Sequence, residues 1–157
     1  MRRTLVVYQA GPLFSEAEQD WHRKLKSRIE ARFAALGSPV EVRWPGEFFS
    51  AEDIEAWGPD ARHHIYQGCV RALADADLLV ALLDGTQVDD GTAFEIGYFA
   101  SQHPRRPILG VRTDFRRGGD TDFSLVNAMI EGACSAIVGT IDEAVAYIER
   151  TRSLPEQ

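Results

Sequence analysis

Cysteine is scarce in this chain: two in 157 residues, Cys69 and Cys134, far apart and with no paired spacing. That excludes a disulfide-stapled scaffold. The first four residues run straight into a strand-like stretch that Gly11 and Pro12 interrupt, too early for a secretory signal. The two thiols therefore read as reduced, which points to the cytoplasm. Long apolar runs are also missing. The longest, at 78–83 and 107–111, fall far short of the roughly 20 residues a spanning helix needs. Positive charge is in deficit, with 17 Lys and Arg against 24 Asp and Glu, a net of −7. An acidic chain makes a poor partner for a nucleic-acid polymer. The dinucleotide fingerprint GxGxxG, the phosphate loop GxxxxGK[ST], the nucleophile elbow GxSxG and the zinc pattern HExxH are all absent. The four histidines, His22, His63, His64 and His103, have no ligand spacing and read as surface or helix-packing residues. A metal enzyme or a conventional nicotinamide enzyme is thereby disfavoured.

What is present is an ordinary globular composition, 45% hydrophobic and 26% charged, at the size of one domain spanning 1–157. Residues 4–10, TLVVYQA, predict a buried strand. Residues 15–36 predict a helix with Ala17, Trp21, Leu25, Ile29, Phe33 and Leu36 on its apolar side. Ser15 and Glu18 form a capping box at its start, and Gly37 a stop at its end. Further strands are predicted at 40–44, 78–83, 107–112 and 135–138, and further helices at 50–57, 60–76, 92–101, 125–131 and 141–150. A polar, glycine-rich stretch at 113–121 reads as a mobile loop. Strands alternating with helices imply an α/β fold: a doubly wound, five-stranded parallel sheet of flavodoxin or Rossmann type. Ligands in such folds bind beyond the carboxyl ends of the strands. That directs attention to the segments after the first, third and fourth strands.

The richest of these is 84–98, in which Asp84, Asp89, Asp90 and Glu95 cluster near a helix start. Two readings stand side by side. Thr92 and Glu95 fit a capping box, with Asp89 and Asp90 favouring the helix dipole. Alternatively, a carboxylate at a strand end is aimed at a ligand, where it can attack an electrophilic anomeric carbon. Gly91 is expected to allow a sharp entry into the helix. Ala93, Gly97 and Ala100 are expected to let that helix pack closely against the sheet or another chain. Tyr8 reads as a core aromatic, Asn127 as a helix cap, Met129 as core packing and Cys69 as a buried thiol.

The segments YQAGPLF at 8–14, ADLLVALLDG at 76–85, DDGTAFEIGY at 89–98 and NAMI at 127–130 resemble the nucleoside 2-deoxyribosyltransferase family, in order along most of the chain. The resemblance implies that Glu95 is the nucleophile attacking C1′ of a deoxyribose and that Tyr8 positions or tunes it. It implies that Asp89 binds the sugar hydroxyls, and that Gly11, Pro12, Leu13, Phe14 and Gly91 line the nucleoside pocket. Asn127 and Met129 would reach into the site of a neighbouring subunit, making the active unit a homo-oligomer. The substrates would be a small nucleoside and a free base, and no cofactor is required. At Cys69 the family often carries an acidic or amide residue, which bears on base preference. Two other functions are compatible with the pattern: an N-glycosidase acting on a nucleoside or its 5′-monophosphate, and a non-catalytic nucleotide-binding domain. Asp89 and Asp90 would repel a 5′-phosphate, whereas Arg112, Arg116 and Arg117 could attract one. The tail at 153–157 would cover a neighbour's pocket or fray.

Overall fold

The computed structural model describes residues 3–152, so the tail at 153–157 lies outside the described residues. Five strands form one sheet: β1 (Leu5–Ala10), β2 (Val40–Arg43), β3 (Leu78–Leu82), β4 (Ile108–Val111) and β5 (Ala136–Val138). They run parallel throughout, in the order β2-β1-β3-β4-β5. The helices are α1 (Glu16–Ala35), α2 (Ala51–Trp57), α3 (Ala61–Ala74), α4 (Asp90–Gln102), α5 (Ala128–Ala133) and α6 (Ile141–Arg152). Short 3-10 turns at Pro45–Glu47 and Gly58–Asp60 contain Pro45 and Pro59, just beyond the ends of β2 and α2. Most boundaries agree with the sequence to within two residues. The largest displacement is α5, which begins at Ala128 rather than 125 because Asn127 caps it. No helix among the described residues is long and apolar enough to cross a membrane.

The period of two along each strand divides the core. Val7, Leu78, Val80, Leu109 and Val111 face Leu25, Ile29 and Phe33 of α1 and Ala144, Val145 and Ile148 of α6. Tyr8, Ala10, Leu79, Ala81 and Leu83 face Leu73 of α3, Ile96 and Phe99 of α4, and Val126. The buried row of α1 is His22, Leu25, Ile29 and Phe33, so its first member is His22 and not Trp21. The chain leaves β1 toward β2 on one side and returns across the sheet to β3 on the other. Between β1 and β3 the direction of winding reverses, and ligands of such folds bind beyond the strand ends at that reversal. The loop at 113–121 is irregular but tethered. Asp84 accepts from the amides of Thr113 and Asp114, at 2.6 and 3.0 Å, and Arg112 donates through Nη2 to the Arg116 carbonyl at 2.6 Å.

Candidate active site

Tyr8 sits in β1 between Arg43 of β2 and Leu79 of β3. Its alternation points the ring toward α4, where it is fully buried with its edge against Phe48. A buried phenol needs a partner for its hydroxyl. It finds one 87 residues away: Tyr8 Oη donates to Glu95 Oε1 at 2.5 Å, a short charge-assisted bond. The tyrosine is therefore more than a core aromatic.

Glu95 is free to meet Tyr8 because α4 is capped by another residue. Asp89 is the N-cap, and its Oδ2 accepts both the Thr92 amide and the Thr92 hydroxyl at 2.9 Å. The expected Thr92–Glu95 capping box does not form: Asp89 takes the role of the cap, and the glutamate accepts from the Tyr8 hydroxyl instead. Gly91 lies inside the first turn of α4, not at a bend before it, so the expected sharp entry is absent. A Cβ at Gly91 would lie 3.2 Å from Asp89 Oδ2, so the glycine keeps space beside that carboxylate.

Burial pushes the Glu95 carboxyl up to about 7. The Asp89 charge pushes it the same way, and the Tyr8 hydroxyl pulls it back. Burial and the neighbouring Glu95 charge hold the Tyr8 hydroxyl far above the ordinary phenol range, so tyrosine serves as a neutral donor. Cys69, from α3, is the third member: its thiol meets the Tyr8 hydroxyl, and burial pushes it up. A partly buried carboxylate that is half ionised near neutrality, held by one neutral donor, can act as a nucleophile.

Beyond Ala10 the chain passes through Gly11, with φ +152°, where a Cβ would lie 2.6 Å from the His22 ring. Pro12 and Leu13 are half-buried, and Phe14 is 80% exposed. Asp84 is engaged by Thr113 and Asp114, and Asp90 by the Gly91 amide. The arginines weighed as phosphate partners are committed elsewhere. The buried Arg112 guanidinium donates to the carbonyls of Leu83, Gly85 and Arg116. Arg116 pairs with Asp114, and Arg117 donates to the Asp122 carbonyl.

Asn127 and Met129 stand apart from Glu95. Asn127 caps α5, with Oδ1 accepting the Met129 amide at 3.0 Å, as the capping reading expects. Met129 is 83% exposed and does not pack in the core. Both line a groove of about 950 Å³ whose opposite wall includes Ala93, Gly97 and Ala100 of α4. At about 100° per residue, Glu95 lies on the far side of α4 from those small residues. The small residues thus form a groove wall, and one helix diameter separates Met129 from Glu95 of the same chain. Among the described residues no group of three or more His, Cys, Asp or Glu is arranged to hold a metal ion.

The helix-packing reading of His22 holds, but sequence reasoning missed Gln9, its bonds to His22 of α1, and the Arg112 clamp. The signal for His22 was available: a polar residue in the 22, 25, 29, 33 row of an otherwise apolar helix face.

Comparison with known proteins identifies the family and the fold. Residues 7–139 match the family model described as nucleoside 2-deoxyribosyltransferase. An uncharacterised protein of Ureaplasma parvum is 28% identical over 128 residues, covering 74% of this chain and 75% of its own length. The crystal structure of a conserved protein from Enterococcus faecalis V583 matches with a TM-score of 0.76 at 23% identity, over 95% of this chain and 99% of the other. The 2-deoxyribosyltransferase from Bacillus psychrosaccharolyticus matches with a TM-score of 0.69 at 20% identity, over 94% and 95%. These two structures share the doubly wound fold; the family model spans the strand-end segments, Tyr8 and Glu95 included. The chain belongs to the nucleoside 2-deoxyribosyltransferase family.

Proposed function

We propose that this protein exchanges the base of a 2′-deoxynucleoside through a covalent deoxyribosyl ester on Glu95. The single observation that carries this reading is the 2.5 Å bond from Tyr8 Oη of β1 to Glu95 Oε1 of α4. In the first step a Glu95 carboxylate oxygen forms a bond to C1′. The C1′–N bond breaks, its electron pair leaves with the base, and the base takes up a proton from water. In the second step a nitrogen of another free base attacks C1′ from the vacated face. The ester C–O bond breaks, the carboxylate is restored, and the acceptor loses its N–H proton. Two inversions retain the β configuration. The balance is closed without oxidant, reductant or cofactor.

Each neighbour has a role in this reading. Tyr8 holds the carboxylate and stabilises its ionised form. Asp89 caps α4 through Oδ2 and turns Oδ1 to the sugar hydroxyls, and Gly91 keeps room beside it. Gly11, Pro12, Leu13 and Phe14 line the nucleoside pocket. The commitment of Arg112, Arg116 and Arg117 to other partners, with Asp89 and Asp90 near the site, favours a substrate without a 5′-phosphate. Asn127 and Met129 serve the Glu95 of a neighbouring subunit. Exposed Tyr66, Phe94 and Met129 offer that subunit an apolar face.

The test is chromatography of a deoxynucleoside incubated with and without a second base. New nucleoside is expected with wild type and none with Glu95→Ala. Exchange that survives in Glu95→Ala overturns the mechanism, and free base with free sugar alone makes the protein a hydrolase. Mixing Glu95→Ala with Asn127→Ala tests the shared site. If a subunit supplies Asn127 to its neighbour, random dimers restore about a quarter of the wild-type sites. No recovery returns Asn127 to a purely capping role.

A further inference from the structure

β1 presents Tyr8 to one face of the sheet and Gln9 to the other, and both side chains are fully buried. Gln9 meets His22 of α1. Its Nε2 donates to the His22 carbonyl at 2.9 Å and lies 2.7 Å from His22 Nδ1. A carbonyl can only accept, so the amide nitrogen faces both atoms, and its second N–H is directed at Nδ1. Nδ1 must then carry a lone pair. The ring proton is on Nε2, 3.1 Å from the Pro12 carbonyl, and is donated to it. Both ring nitrogens are used, and the tautomer is determined by its partners.

The surroundings leave this ring no other place. His22 is fully buried, stacked on Trp44 at 5.5 Å and met edge-on by Trp21 at 5.2 Å. From the other side the chain comes so close at Gly11 that a Cβ would lie 2.6 Å from both Cε1 and Nε2. A second side chain of α1 acts one residue further along, where Gln19 Nε2 donates to the Leu13 carbonyl at 3.0 Å. Glu18 then accepts the amides of Phe14 and Ser15, at 3.0 and 2.7 Å. The turn after β1 is therefore tied to α1 through its main chain, which leaves its side chains for a ligand. A leucine would fill the same volume and leave the Pro12 carbonyl and a Gln9 N–H without partners.

We propose that His22 is a positioning residue of the nucleoside site: as a neutral imidazole protonated at Nε2, it suspends the Pro12 carbonyl, and with it residues 11–13, from α1. The kinetic side of this inference rests on the reading that residues 11–14 line the nucleoside pocket; the tautomer does not.

Two measurements test it. In 15N-histidine-labelled protein at pH 7, a multiple-bond 1H–15N spectrum is expected to show the His22 ring neutral with its proton on Nε2. An Nδ1–H ring or an imidazolium overturns the proposal. In base exchange, His22→Leu is expected to raise KM for the donor deoxynucleoside about tenfold with kcat within about twofold. His22→Gln, which restores an N–H near the Nε2 position, is expected to bring KM back to within about threefold of wild type. An unchanged KM in His22→Leu with only a lower Tm makes the ring simple core packing and overturns the proposal. Should His22→Leu not fold, His22→Met, which likewise lacks the N–H that reaches the Pro12 carbonyl, is read by the same criterion. If wild type neither exchanges nor releases base, the proposed function fails on its own. Hydrogen exchange of the Leu13 and Phe14 amides then decides: acceleration of about tenfold or more in His22→Leu supports positioning, and no acceleration overturns it.

Discussion

In the proposed mechanism Glu95 works between two charge states, and its surroundings set the balance. Burial raises its pKa to about 7, so kcat/KM for the donor nucleoside is expected to rise with pH through about 7 as the carboxylate forms. Tyr8→Phe removes the one contact that favours the ionised form. The rising limb should then move to higher pH, and kcat/KM at pH 7 should fall about ten- to a hundredfold, the worth of a hydrogen bond to a charged group. A pH–rate profile of both proteins checks this, and coincident limbs would separate Tyr8 from the titration. Cys69 belongs to the same cluster but brings no carboxylate to it, so Glu95 titrates with Asp89 as its one acidic neighbour of note.

The start of α4 shows what an element adds to its residues. Asp89 holds the helix by capping it and raises the Glu95 pKa by its charge, and two substitutions separate these effects. Asp89→Ala should cost about 1 kcal/mol in stability, the usual worth of an N-cap. Asp89→Asn keeps a capping oxygen, so Tm should hold while the pH limb of activity moves down. Thermal melts and pH–rate profiles of the two variants check this pair. Here the sequence was only half legible. Thr92 and Glu95 have the spacing of a capping box, and the same spacing fits the nucleophile proposed for the second turn of α4. The choice is made by Asp89, which occupies the cap, and by Tyr8, which arrives from β1 across 87 residues. Local pattern carries no record of the second contact. Strand alternation, the Ser15–Glu18 box and the glycine and proline stops are local, and they were legible nearly to the residue.

At the scale of the whole molecule, two buried groups oppose each other as pH changes. His22 is held down to about 4, with burial as the main cause and the Pro12 carbonyl and Glu18 acting against it. Its folded pKa lies below the unfolded value of about 6.5, so the unfolded chain takes up the proton first, and stability is lost as pH falls from 6.5 toward 4. Glu95 is the reverse. Its folded pKa lies above its unfolded value, so stability rises as pH falls from about 7 toward 4.5. Each shift corresponds to about 3 kcal/mol, so the two nearly cancel in wild type. Melts between pH 7 and 5 should therefore show Glu95→Gln losing Tm on acidification and His22→Gln gaining it. Parallel curves would remove both groups from the account. Assembly belongs to this scale as well. The proposed service of Asn127 and Met129 to another chain is legible only through resemblance, because a capping asparagine and an exposed methionine carry no local sign of it. What the fold adds is their separation from Glu95 by the width of α4.

In the proposed mechanism Glu95 becomes bonded to an anomeric carbon. Mass spectrometry of protein incubated with a 2′-fluoro-2′-deoxynucleoside, whose fluorine slows release of the sugar, reads that bond. One added fluorodeoxyribosyl group is expected on the peptide containing Glu95, removed again when a free base is supplied. Release of base with no adduct, or an adduct on any other residue, rules the Glu95 ester out.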